Sequence, residues 1–460
     1  MNETISFKFA EYTKNSKYEI LSASTIEQAK KCLLDFIGVA IAGKECPLND
    51  ILLSLGFQSK RGKNSTVIGR KDPIYFLFSS LINGTIGHYL ELDDGHRPSI
   101  SHPGTVVIPS ALAMGEVLGS SGKEILLSIV LGYEIIGRIG RSIQPSHQTK
   151  RGFHTTGTCG TFGAALTSAK LLDLSINEIV YSLGLAGLQA SGLLEVMNNG
   201  GMAKPFHAGK ASFNGILSSL MAKKKVKSPI TIFEGSKGFI NAMSDHWQKE
   251  KIFDKLGEDF LISETYFKFH AACGLVHSTI DAIIKIVQEN NIESRQIKKI
   301  KLKVLSYVAD IVNKENQEIE SPEDAKFNLQ FNAAIAVIDQ SANIEEYSNE
   351  KITNQEIRDL MKRVKVVADT ELDNYFPERR PSIAEVELFS GENFNERIDF
   401  PKGSPENPPS FEDVYQKYMQ LVLPYIEKNI AEEIVELIQN FDMIENINIF
   451  TKLLRLNEGE

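Results

Sequence analysis

The 460-residue sequence is poor in cysteine, basic runs and long apolar stretches, and each shortage closes off a class of function. Its four cysteines, Cys32, Cys46, Cys159 and Cys273, are widely spaced and form no Cys-x-x-Cys pair, so neither a zinc knuckle nor an iron–sulfur ligand run is visible. No apolar stretch reaches the roughly 18 residues of a membrane span. The opening "MNETISFKFAEYTK" has neither the basic nor the apolar region of a secretion signal. A cytosolic protein is the expectation. A net charge of −9 without a long Lys/Arg run leaves no basic footprint for a phosphate backbone, which argues against nucleic acid as the main partner. The short run Lys223, Lys224, Lys225 reads as the solvated end of a helix.

Histidine is missing from the last 183 residues. All nine, His88, His96, His102, His147, His154, His207, His246, His270 and His277, lie between positions 88 and 277. Several stand in loop-like strings beside other reactive groups: "SHPG", "RGFHTTGT", "AKPFHAGK" and "YFKFHAACGLVH". The densest stretch is "LELDDGHRPSISHPG", residues 90–104, with Glu91, Asp93, Asp94, His96, Arg97 and His102. Asp, Gly, Pro and Ser suit any turn, but two imidazoles among three carboxylates suggest proton transfer near neutral pH. Capping or hydrogen-bonded structural histidines are the alternative for each position taken singly. Carboxylates and imidazoles are also metal ligands, yet no His-Glu-x-x-His or other familiar ligand spacing accompanies them. Lys204, just before Pro205 and His207, supplies a cation suited to a carboxylate and its enolate form.

Single hydrophobic cores stop growing beyond roughly 250–300 residues, so two domains are expected. "STIEQAKKCLLDFIGVAIAG" places Ser24 and Glu27 in capping-box spacing, then one apolar face, then Gly43 as a stop. Further helices are expected near 106–118, 123–143, 157–172, 176–192 and 208–224, each rich in Gly, Ala and Ser. After about residue 270 the pattern changes. "IKKIKLKVLSYVADI", "VKVVAD" and "SIAEVELFSGENFNERIDF" carry β-branched alternation, the last as a hairpin, with helices near 325–339 and 353–362 between them. The linker "PKGSPENPPS" precedes two more helical patterns. The reading is a mainly α protein: a large all-helical domain, begun over 1–268 and completed by C-terminal helices over 403–460, with a smaller α+β lid domain inserted at 269–402.

The strings "NGTIGHYLELDDGHRPSISHPG", "GYEIIGRIG", "RGFHTTGTCGTFGAALTSAKLLDL", "AKPFHAGKASFNGILSSLMA", "KFHAACGLVHSTIDAI" and "FPKGSPENPPS" resemble, in order and spacing, the MmgE/PrpD family over nearly the whole chain. That family includes 2-methylcitrate dehydratase, cis-aconitate decarboxylase and iminodisuccinate epimerase. The resemblance implies a homodimer, each subunit an all-helical domain plus a lid, and a site between them without cofactor or metal. It implies a small anionic di- or tricarboxylate as substrate, and a proton removed from or added to the carbon beside a carboxylate. Residue by residue, the "HP" histidine falls on His102, the "GFH" histidine on His154, the "KPxHxG" lysine on Lys204 and the lid-hinge lysine on Lys268. The hinge string here lacks the family's proline. The acidic residue before the paired aspartates is Glu91. The resemblance assigns Lys204, Lys268 and His102 to the substrate carboxylates, and His154 and Glu91 to proton transfer. Cys273 becomes a second acid/base or a pocket wall, Asp93 and Asp94 orient these groups on the substrate side, and His277 approaches the substrate from the hinge.

Three departures from the decarboxylase pattern stand out. Cys273 replaces a histidine, Phe331 lies near where that enzyme has a tyrosine, and one more residue separates the aspartates from His102. Dehydration of the 2-methylcitrate type is therefore the leading expectation, with the epimerase as alternative and decarboxylation the least supported. A catalytically dead helical scaffold is the non-enzymatic alternative.

Overall fold

The computed structural model of the chain describes residues 3–57, 62–197, 201–315, 317–376 and 379–456. Helices dominate, as the patterning predicts, and one four-stranded sheet stands in the second half. The chain forms two compact units. One comprises Met1–Tyr89, Asp93–Thr265 and Ser410–Glu460; the other comprises Leu90–Leu92 and Tyr266–Pro409.

The first unit is built from helices Ala23–Ala42, Phe76–Tyr89, Gly104–Leu118, Gly122–Ile143, Thr155–Leu171, Ile176–Gly187 and Phe206–Lys223. The first of these begins earlier than its sequence pattern suggests. Ser22, not Ser24, is the cap, and its side chain accepts from the Thr25 backbone N–H, because an extended residue two positions upstream satisfies the exposed donors equally well. Ser121 with Glu124, and Ser175 with Glu178, form full capping boxes. The small residues set the spacing of the helices. A Cβ on Gly84 would stand 2.8 Å from the Gly209 Cα, and one on Gly209 would stand 2.0 Å from the Leu81 carbonyl. Helices Phe76–Tyr89 and Phe206–Lys223 therefore touch backbone to backbone, where no side chain can yield. His88 lies one turn beyond Gly84, and His207 lies two residues before Gly209. C-terminal helix Phe411–Val422 returns to Ala23–Ala42 through a buried Lys417–Asp35 ion pair at 2.6 Å. Removing one partner of such a pair typically costs about 3–5 kcal/mol.

In the second unit the strand order is Val364–Ala368, Ile297–Val304, Ser382–Leu388, Asn393–Ile398. The first pair is parallel and the others antiparallel. Ser382, Ala384, Val386 and Leu388 are buried, while Glu385 and Glu387 on the other face meet Lys303 and Lys298. Two runs differ from expectation. "IKKIKLKVLSYVADI" is a strand only to Val304. Asp373 then takes the Ser306 N–H at 2.7 Å and its hydroxyl at 2.7 Å, and helix Ser306–Val312 begins. That partner is 67 residues away, beyond any local pattern. The helix expected over 325–339 is two, Pro322–Lys326 and Leu329–Ile338, divided where Asn328 caps the second. In the linker, Gly403 has φ +94 and its carbonyl accepts the Phe267 N–H at 2.9 Å. This fixes the backbone next to Lys268. No helix among the described residues is long and apolar enough to cross a membrane.

Candidate active site

The crowded segment after helix Phe76–Tyr89 is a pinned turn. Glu91 and Ile100 take φ values of +58 and +50, conformations that favour glycine and are unusual for a β-branched residue. Strain of this kind persists where the surroundings enforce it, often at functional sites. Here the enforcing contacts are His96 N–H to Ser101 O (2.8 Å), Ser101 N–H to His96 O (3.3 Å) and Ile100 N–H to Arg97 O (3.1 Å). The His96 ring is buried and tied at both nitrogens, to Ser99 Oγ at 2.7 Å and to Glu264 at 3.2 Å. It holds the turn.

The turn delivers His102, whose backbone N–H donates to Thr156 Oγ1 at 3.1 Å. Its Nδ1 lies 2.7 Å from the Asp94 carbonyl and 3.1 Å from Asp93 Oδ2. A carbonyl and a carboxylate can only accept, so Nδ1 carries the hydrogen and Nε2 is the basic nitrogen. Asp93 Oδ2 also accepts from His88 Nδ1 at 2.8 Å. Asp94 points inward, taking the Tyr133 hydroxyl at 2.5 Å and the Gly104 N–H at 3.0 Å. Burial pushes its carboxyl up to about 7, against the downward pull of the Tyr133 hydrogen bond, and the nearby Asp35 and Asp93 add to the rise.

Four imidazoles then follow in contact. The His88 ring is 4.9 Å from His102 and stacks on His154 at 5.6 Å and 19°, and His154 lies 5.3 Å from His207. Burial holds His154 well below the usual imidazole range, and the Lys204 ammonium and the neighbouring rings press it further down. Burial likewise lowers His207 to about 4, with Lys210 assisting. Both rings are neutral at neutral pH. Lys204 is buried and stands immediately before Pro205, which opens helix Phe206–Lys223.

In the second unit Lys268 is 1% exposed at its side chain, and its ammonium lies 3.2 Å from Glu91 Oε2, itself 9% exposed. A charge pair so far from water can bind an anion or move a proton only by rearranging. Cys273 is a partly exposed cysteine outside any disulfide, and its backbone N–H donates to the Lys326 carbonyl at 3.1 Å. His277 opens helix His277–Asn290, with Nε2 3.3 Å from the Ala272 carbonyl. It meets His270 edge-on at 5.0 Å, and His270 is held by Asp281 at 2.7 Å. Phe331 is fully buried, 5.9 Å from Tyr347, whose hydroxyl donates to Asn332 Oδ1 at 2.5 Å.

Of the residues expected from the sequence, His102, His154, Lys204, Asp93 and Asp94 belong to the first unit, and Glu91, Lys268, Cys273 and His277 to the second. Two members of the imidazole cluster, His88 and His207, were not among them. The available signal was positional, since both lie within one turn of the glycines where their helices touch. His147 is structural, held by the Met243 carbonyl at 3.0 Å and Thr158 Oγ1 at 2.8 Å, and His246 is exposed. His88, Asp93 and His102 are also metal-ligand types with candidate donor atoms within 4.8 Å of one another. The same groups also carry hydrogen bonds, from His88 to Asp93 and from His102 to the Asp94 carbonyl.

The chain matches the MmgE/PrpD N-terminal domain over residues 8–251 and the MmgE/PrpD C-terminal domain over residues 270–443. It belongs to the MmgE/PrpD family. Among curated proteins it is similar to cis-aconitate decarboxylase of Aspergillus terreus, 24% identical over 98% of this chain and 96% of that protein. It is also similar to cis-aconitate decarboxylases of Mus musculus and Homo sapiens, each 23% identical over 99% of this chain and 94% and 95% of theirs.

Proposed function

We propose that this chain is a cofactor-independent lyase that moves a proton at the carbon next to a carboxylate of a small tricarboxylic acid. The observation that carries the reading is the His102–Asp93 pair: a carboxylate and a carbonyl fix one ring nitrogen and leave the other as the proton carrier. In the dehydration reading, His102 Nε2 takes the proton from carbon, the C–O bond on the adjacent carbon breaks to give the alkene, and the departing hydroxyl takes that proton from the protonated His102 and leaves as water. Charge that develops on the substrate carboxylate is met by the ammonium groups of Lys204 and Lys268. Neutral His154 serves as a hydrogen-bond partner, while Glu91, released from Lys268, is a second proton acceptor. Cys273 and His277 line the substrate side, and Asp94 orients the Asp93–His102 segment.

Dehydration of a 2-methylcitrate-type acid remains the leading reading because Cys273 and Phe331 depart from the decarboxylase pattern. A second reading, decarboxylation of a cis-aconitate-type acid, is favoured by the curated relatives, which are cis-aconitate decarboxylases. It needs the same machinery in the opposite sense, since carbon dioxide leaves and the carbon takes a proton. Product analysis by NMR after incubation with 2-methylcitrate, cis-aconitate and iminodisuccinate separates the readings. Water loss supports the first, itaconate formation the second, racemisation of iminodisuccinate an epimerase. No change in any acid supports a non-enzymatic scaffold and contradicts the proposal.

A further inference from the structure

His88 has no role in the proton chemistry described above, yet its placement is costly. Its side chain is fully buried, Nδ1 donates to Asp93, and Nε2 has no hydrogen-bond partner among the described residues. A buried polar atom left unsatisfied opposes folding by roughly 1–3 kcal/mol, and such a group calls for an explanation. The ring also touches both His102 and His154. Its position is set by the helix contact at Gly84 and Gly209, so it is a rigid element.

We propose that His88 is a positioning residue: its Nδ1–H holds the Asp93 carboxylate beside the His102 ring, where the negative charge favours the ring's protonated form. One oxygen, Asp93 Oδ2, accepts from His88 Nδ1 at 2.8 Å and lies 3.1 Å from His102 Nδ1, whose hydrogen-bond partner is the Asp94 carbonyl at 2.7 Å. Without the His88 donor the carboxylate loses one of the contacts that orient it toward His102, whose Nδ1–H stays on the Asp94 carbonyl. The ring then loses the negative charge that stabilises its protonated form. Groups that orient the ligating imidazoles of metal sites are commonly worth 10–100-fold in function, and a group that positions the partner of a proton-carrying imidazole is expected to act on the same scale. The inference rests on the reading of His102 as proton carrier for its kinetic consequence, but not for its structural one.

The test compares His88→Phe, which keeps a stacking ring without a donor, with His88→Asn, whose side-chain amide can donate toward Asp93. Both are measured for kcat and KM on the acid that the wild type converts. A pH titration by ¹⁵N NMR of ring-labelled histidine reports the midpoint of the His102 ring, with the signal assigned by its loss in His102→Gln. The expected result is a fall in kcat of roughly 10–100-fold in His88→Phe with KM within about twofold, and recovery of most of it in His88→Asn. The His102 ring midpoint should fall in His88→Phe and stay near that of the wild type in His88→Asn. Unchanged kcat and midpoint in His88→Phe overturn the proposal, as does equal damage in both variants, which marks a packing role. If the wild type converts no acid, the functional reading fails and the midpoint comparison still decides the role of His88.

Discussion

The Nδ1 atoms of His154 and His207 face each other at 3.2 Å in the first unit. Two ring nitrogens at that distance cannot both carry hydrogen, so one ring donates through Nδ1 and the other accepts. This fits the downward pressure on both, toward about 4 for His207 and well below the normal range for His154. NMR titration should therefore show no His154 ring transition between pH 8 and 5.5. A His154 midpoint near 6.5 would remove its role as a neutral hydrogen-bond partner.

His147 allows a stability prediction with a definite sign. Burial lowers its pKa to about 4, so the unfolded chain binds the proton more readily. The stability this group contributes is complete above the unfolded value of about 6.5 and is lost as pH falls from there toward 4. Denaturant melts of wild type and His147→Gln should converge over that window, at up to about 1.4 kcal/mol per pH unit. A difference that is constant or grows toward acid would contradict the burial effect.

Asp94 should behave in the opposite sense. Its folded value is raised to about 7, so the folded state holds the proton more firmly. The contribution is complete below the unfolded value of about 3.9 and is lost as pH rises through 7. Relative to Asp94→Asn, the wild type should lose stability from pH 4 to 7 and then level off. Parallel stability curves for the two proteins would show that Asp94 does not titrate in this range.

His96 and His102 are six residues apart and should respond differently. The sequence reading gives His96→Gln a small effect on turnover. The structure adds a stability loss of roughly 1–3 kcal/mol, because one buried and one partly buried hydrogen bond lose their partner. His102→Gln should melt near wild type and lose roughly 100-fold or more in turnover. Thermal melts and initial rates on the two variants are sufficient. A reversed pattern would make His102 the structural member.

Chelation tests whether His88, Asp93 and His102 work through hydrogen bonds or through an ion. Dialysis against EDTA should leave turnover unchanged, and elemental analysis should find less than stoichiometric iron or zinc. Activity lost on chelation and restored by one metal per chain would assign the cluster to a metal centre.

The helices with strong 3.6-residue periodicity were legible in the sequence nearly to their ends, and so was the hairpin Ser382–Ile398, because alternation and turn chemistry are local. What escaped was decided by distant partners. Asp373 ended the strand at Val304 and began a helix, and Asn328 divided a run that looks continuous. In the candidate site, motif strings pointed to His102, His154 and Lys204. His88 belongs to the cluster through the close approach of two helices at single glycines, which spacing along the chain does not display.

The central claim is that a proton is exchanged beside a carboxylate by His102, and deuterium incorporation tests it most directly. Wild type and His102→Gln are incubated in deuterated water with di- and tricarboxylic acids, and the substrate and product carbons are followed by NMR. The account predicts deuterium at a carbon adjacent to a carboxylate of at least one acid with the wild type, and a rate reduced about 100-fold or more in the variant. Deuterium entering no acid, or entering equally fast in both proteins, would contradict it.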